Sequence, residues 1–133
     1  MEQFTKTYVI PSSVTTVYDA WVSSKTVIPP AIKNEITAEV DGEIHIWTKF
    51  CDVESEMIGK FSVVEPYKKL IYSWEWNQDH HISMVCVEFS ETQTNQTEVK
   101  LTHSGFTNPE SATLHSDGWD HYLEGFTEFV CRK

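Results

Sequence analysis

The feature that most constrains this chain is the stretch from Ser111 to Cys131. At about 100° per residue, Ala112, His115, Trp119, Tyr122, Leu123, Phe126, Phe129 and Val130 share one helical face. Asp117, Asp120, His121, Glu124 and Glu128 share the opposite face. Asn108 can cap such a helix, and Pro109 suits its first position, where an N–H would have no partner anyway. A helix of this length spans roughly 30 Å. Its apolar stripe is broad and aromatic, so it needs a large apolar surface to cover it. Gly118 and Gly125 lie side by side at the edge of that stripe. Each costs about 1 kcal/mol relative to Ala inside a helix. Either a backbone or ligand approaches closely there, or the helix simply tolerates the cost.

The rest of the chain supplies that surface as strands. Phe4 to Ile10 alternates, with Phe4, Lys6, Tyr8 and Ile10 on one side and Thr5, Thr7 and Val9 on the other. Pro11-Ser12-Ser13 stops the strand, and Ser13 can cap a helix in which Val14, Val17, Tyr18 and Trp21 fall on one face. A second short helical turn is expected over Lys25–Ile28, ended by Pro29-Pro30. Glu35–Val40 and Glu43–Phe50 read as a hairpin around Asp41-Gly42. Glu56–Val64, Leu70–Trp76, His81–Phe89 and Thr97–His103 read as further strands. The expected fold is therefore α+β in one domain over residues 1–133. A curved antiparallel sheet of six to seven strands wraps a long C-terminal helix, with two short helices after strand one.

Ten Lys and Arg against twenty Asp and Glu give a net charge of −10. Phosphate backbones and anionic lipid surfaces repel such a chain, so nucleic acid and membrane are excluded as main partners. No window approaches the ~18 apolar residues of a membrane helix. Met1 to Lys6 contains no basic segment leading into an apolar run, so no signal peptide is expected. Cys51, Cys86 and Cys131 are odd in number and far apart, which reads as reduced thiols in a cytoplasmic protein.

The aromatic residues are the best functional signal. Trp47, Phe61, Tyr72, Trp74, Trp76, Phe106, Trp119 and Tyr122 could line an apolar pocket with a few polar anchors, or could form an ordinary core. His103 alternates with Leu101 and Val99, and His115 lies on the inward helical stripe. The two imidazoles could meet inside and orient a polar ligand group. Each could equally be a core histidine with its own partner. Asp79-His80-His81 suggests a metal at first sight, but adjacent strand residues point to opposite faces, so a solvated turn is expected. No phosphate loop, His-Glu-x-x-His, Cys-x-x-Cys or nucleophile elbow is present, and no cofactor, metal or catalytic residue is assigned.

Four segments in order resemble one family. They are Ile10 to Trp21 (IPSSVTTVYDAW), Gly59 to Trp74 (GKFSVVEPYKKLIYSW), Thr97 to Phe106 (TEVKLTHSGF) and His115 to Trp119 (HSDGW). Together they resemble the SRPBCC superfamily, also called START-like or helix-grip, and within it the branch related to the activator of the heat-shock-protein-90 ATPase. The resemblance covers nearly the whole chain. Pro29-Pro30-Ala31 stands where the family usually carries a Trp, and a single Gly42 stands where it often has a pair. The resemblance implies a helix-grip fold with an internal cavity. It also implies a small hydrophobic molecule, such as an aromatic metabolite or lipid, as partner. The residues read above as facing inward, Trp47, Phe61, Tyr72, Trp74, His103, Phe106, His115, Trp119 and Tyr122, would then face the ligand. The resemblance also implies a chaperone-associated interaction domain or a polyketide cyclase-like enzyme; read from the residues, such a cyclase or hydrolase would use His103 with a carboxylate. A monomer or weak homodimer is expected. A fold of this kind does not determine which function applies.

Overall fold

The computed structural model describes residues 2–131. The elements run β1 (Glu2–Ile10), α1 (Val14–Trp21), β2 (Ala31–Ile36), β3 (Glu43–Phe50), β4 (Val53–Glu65), β5 (Lys69–Trp76), β6 (Ser83–Gln93), β7 (Gln96–Phe106) and α2 (Pro109–Cys131). The strands form one antiparallel sheet in the order β1-β7-β6-β5-β4-β3-β2. Hairpin neighbours pair throughout β2 to β7, and β1 closes the far edge by joining β7. The fold is the α+β helix-grip arrangement that the four segments imply.

Local chemistry sets both helix starts. Ser13 Oγ accepts from Thr16 N at 3.2 Å, and Asn108 Oδ1 accepts from Ser111 N at 2.7 Å. Each bond satisfies a donor that the first turn leaves without an internal partner.

The expected second helix is absent, so one helix rather than two follows β1. Lys25–Ile28 forms tight turns, with Thr26 N bonded to the Ser23 carbonyl and Val27 N to the Lys25 carbonyl. Three consecutive β-branched residues resist a helical turn, and the two prolines after them remove donors. Burial of Thr26 and Ile28 then holds the segment down. The next strand also starts earlier than the alternation suggests, at Ala31 rather than Glu35. Lys49 N bonds the Pro30 carbonyl at 2.9 Å, which starts the β2–β3 ladder directly after the prolines. Residues 37–42 become the connection, and a Cβ at Gly42 would run into the Thr37 carbonyl.

The core lies where α2 crosses β1, β7 and α1. Leu123 and Phe126 pack with Ile10, Val17, Trp21, Val99 and Leu101, all buried. Fully burying a Phe or Leu side chain contributes ~1.5–3 kcal/mol. The Trp21 ring meets Phe126 edge-on at 5.2 Å and stacks on Trp119 at 6.0 Å. Asp120, on the polar face by periodicity, also ties the helix to β1. It bonds Lys6 Nζ at 2.7 Å and accepts from Tyr8 Oη at 2.9 Å. The Lys6 ammonium holds its carboxyl below the usual carboxylate range, with help from Tyr8. Half of the Asp120 side chain is exposed, so the tether contributes at most about 1 kcal/mol.

Candidate functional site

The helix leans toward the β1–β7 side of the sheet. Over β2 to β5 it leaves a cavity of about 640 Å³. Strand alternation aims its floor inward. Ile44, Ile46, Thr48 and Phe50 come from β3, Met57 from β4, and Tyr72, Trp74 and Trp76 from β5. Helix α2 supplies the roof through Leu114, His115, Gly118, Trp119 and Tyr122. Trp21, Ile28, Pro29, Pro30 and the β2 residues Asn34 and Ile36 close one side. Phe50 and Leu114 are 68% and 72% exposed, so they mark the mouth. The volume lies within the ~300–1,000 Å³ range of cavities that enclose a drug-sized ligand.

Of the nine residues singled out in the sequence, Tyr72, Trp74, His115, Trp119 and Tyr122 line this cavity. Phe61 is buried beside Tyr72, with ring centres 5.3 Å apart, in the packed layer next to the cavity. Phe106 faces a smaller cavity of about 160 Å³, whose walls include Trp74, Trp76 and His115. Trp47 belongs to the opposite face of the sheet. Its ring stacks on His45 at 3.6 Å and lies 4.9 Å from Lys33 Nζ. The parity of β3 explains this, because Ile44, Ile46 and Thr48 all point the other way. Trp21, Asn34, Ile36, Ile44, Ile46 and Met57 were not singled out. The even-numbered alternation of Ile44, Ile46 and Thr48 was the available signal for three positions on that wall.

His103 and His115 do meet, with ring centres 5.2 Å apart. His103 is fully buried. Trp119 Nε1–H donates to its Nδ1 at 3.0 Å, and an indole can only donate. Nδ1 is therefore the acceptor, and Nε2 carries the proton toward Ser83 Oγ at 2.7 Å. The Ser83 hydroxyl passes its own proton to the Trp74 carbonyl at 3.4 Å. Burial, aided by the neighbouring His115, pushes the His103 pKa down to about 3. A base for Ser83 would need a free lone pair at Nε2, and His103 has none there. No carboxylate bonds to this imidazole among the described residues. The Ser83–His103 pair is thus a structural bond rather than an activated nucleophile.

His115 is engaged in the same way. Its Nδ1 donates to the Ser111 carbonyl at 2.9 Å, and its Nε2 accepts from Trp76 Nε1 at 3.2 Å. Trp74, Trp76 and His115 line both cavities and form the wall between them, with the buried His103 packed behind Trp74 and His115. Burial pushes the Tyr72 and Tyr122 phenols up, so both stay protonated. Asn34 donates through Nδ2 to the Thr26 carbonyl at 2.7 Å, while its Oδ1 is buried without a partner among the described residues. The buried Trp74 Nε1 also lacks one. His80 and His81 are exposed in the β5–β6 turn. Among the described residues, no three His, Cys, Asp or Glu side chains are grouped to hold a metal.

Known structures share this architecture. The chain superposes on protein MLL2253 from Mesorhizobium loti with a TM-score of 0.84 and 20% identity, covering 99% of this chain and 98% of that one. It superposes on PFC0360w, an HSP90 activator from Plasmodium falciparum, with a TM-score of 0.81 and 19% identity, covering 98% and 96%. An AHSA1-like protein from Aeromonas hydrophila gives 0.77 and 17%, covering 97% and 92%. At these identities the likeness speaks for the fold alone. No curated protein matches by sequence. The family model for Activator of Hsp90 ATPase homolog 1-like protein matches residues 11–130. That match spans strands β2 to β7, the residues that line the cavity and nearly all of α2, with β1 before it, and the chain belongs to this family.

Proposed function

We propose that the protein binds a small hydrophobic molecule in the 640 Å³ cavity and does no covalent chemistry on it. The observation that carries this reading is the hollow itself. Four tryptophans, Trp21, Trp74, Trp76 and Trp119, border space that the chain does not fill. Apolar walls with a few fixed polar atoms are the usual form of a small-molecule site. Asn34 Oδ1 and Trp74 Nε1, without partners among the described residues, add an acceptor and a donor respectively that a ligand's polar group could satisfy after a small shift. The bonding of His103 argues against the cyclase-like alternative. A cytoplasmic setting agrees with three free cysteines; among the described residues no helix is long and apolar enough to cross a membrane.

The test is a titration of the Trp47→Phe variant, in which the remaining tryptophans all border the cavity. Flavonoids, aromatic polyketides and fatty alcohols form the panel. A saturable, one-to-one change in tryptophan emission is expected for at least one class. No saturable change with any of them defeats the reading.

A chaperone-associated role is the second reading, favoured by the likeness to the Plasmodium falciparum HSP90 activator. Binding would then use the outer face of the sheet, where Lys33, His45 and Trp47 cluster. It would be insensitive to substitutions in the cavity.

A further inference from the structure

The chemistry of the cavity wall narrows the ligand. Of the residues that line it, Asp117 is the charged one, and no Lys or Arg is among the described lining residues. The histidines do not supply a free cation at depth. Both ring nitrogens of His115 are taken, by the Ser111 carbonyl and by the Trp76 indole. His121 is exposed at the rim, one helical turn from Asp117. Deeper in, Tyr72 and Tyr122 are the ionisable side chains, and burial makes both harder to ionise. The same surroundings oppose any other negative charge placed beside them. The chain as a whole carries −10, which adds long-range repulsion.

We propose that the cavity excludes anions and takes an uncharged, largely apolar molecule; this rests on the cavity-binding reading above. A carboxylate or sulfonate entering it sheds its water and meets no cation in exchange. An ammonium group fares little better. Asp117 lies at the exposed helix surface, and at depth an ammonium would meet aromatic faces and the Asn34 Oδ1, which attract it but carry no net charge to replace its full hydration. A free fatty acid is thereby disfavoured against the matching alcohol, although the two share one tail.

A matched probe pair tests this directly. N-phenyl-1-naphthylamine and 8-anilinonaphthalene-1-sulfonate differ in the sulfonate. The neutral probe is expected to bind at least ~10-fold more tightly at neutral pH. 1-Dodecanol is expected to displace it at a concentration at least ~10-fold below that needed for dodecanoate or dodecylammonium. Asp117→Lys, at an exposed position, is expected to narrow the gap for dodecanoate. Equal binding of the two probes, or displacement by either charged chain as effective as by the alcohol, overturns the proposal and leaves cavity binding intact. No saturable binding of the neutral probe overturns cavity binding itself.

Discussion

The two halves of α2 face the same sheet with different results. Toward its C-terminal end the helix buries Leu123 and Phe126 in a filled core. Nearer its start, over β2 to β5, the His115 and Tyr122 side chains and the Gly118 backbone border empty space, while Trp119 and Asp120 between them still hold α1, β7 and β1. One helix therefore does two jobs. Its C-terminal half supplies the burial that holds the layers together, and its N-terminal half roofs a hollow. The glycines mark the contrast. A Cβ at Gly125 would lie 2.6 Å from Ile28 Cγ2, whereas a Cβ at Gly118 would meet nothing within 4 Å. The sequence left open a close approach by a backbone or ligand; what comes near Gly125 is the Ile28 side chain, and no other residue comes near Gly118.

The largest expected effect breaks the comparison at its filled end. Phe126→Ala should cost ~3–5 kcal/mol, because a buried aromatic leaves a void that its neighbours only partly close. Ile46→Ala at the hollow end should cost only about 1 kcal/mol, since that side chain already borders empty space. Equal losses by denaturant unfolding would show that the two ends are packed alike.

The next effect concerns the buried imidazole of His103. The His103 pKa is lowered to about 3 from an ordinary 6.5. Between those values the unfolded chain binds a proton that the folded one refuses, so stability falls as pH drops from about 6.5 toward 3. His103→Gln should cost about 1–3 kcal/mol at neutral pH, by disturbing the bonds to Trp119 and Ser83. The gap to the parent chain should shrink on acidification, because the variant lacks this titration. Unfolding curves at several pH values check it, and a constant gap would contradict the buried neutral imidazole.

The smallest effect separates the glycines. Gly118→Ala should stabilise by ~0.5–1 kcal/mol through helix propensity alone. Gly125→Ala gains the same propensity but must push Ile28 aside, so its net effect should be neutral or unfavourable. Thermal melts that rank the two variants the other way would place the close contact wrongly.

Much of this was legible in the residues. The period of α2, its Asn108 cap and the alternation of β1 and β5 follow from local chemistry, because each residue's neighbours in the chain decide which face it occupies. Those periods sufficed to put Tyr72, Trp74, Trp119 and Tyr122 on inward faces. Parity along β3 could have kept Trp47 out of the site, because it has the opposite phase to Ile44 and Ile46. At Lys25–Ile28 the three β-branched residues and the prolines after them already opposed a helical turn; what the residues alone did not reveal is that burial of Thr26 and Ile28 holds the segment down.

Sequence alone determined that a broad aromatic helix face must be covered by a sheet, since leaving it in water is too costly. Only the tertiary structure decided that the cover is incomplete, because the helix leans to one edge and leaves β2 to β5 without a matching layer. It alone also showed His103 to be a closed, neutral link. Hydrogen-bond direction depends on which donors and acceptors meet in space, and Ser83, His103 and Trp119 are far apart along the chain.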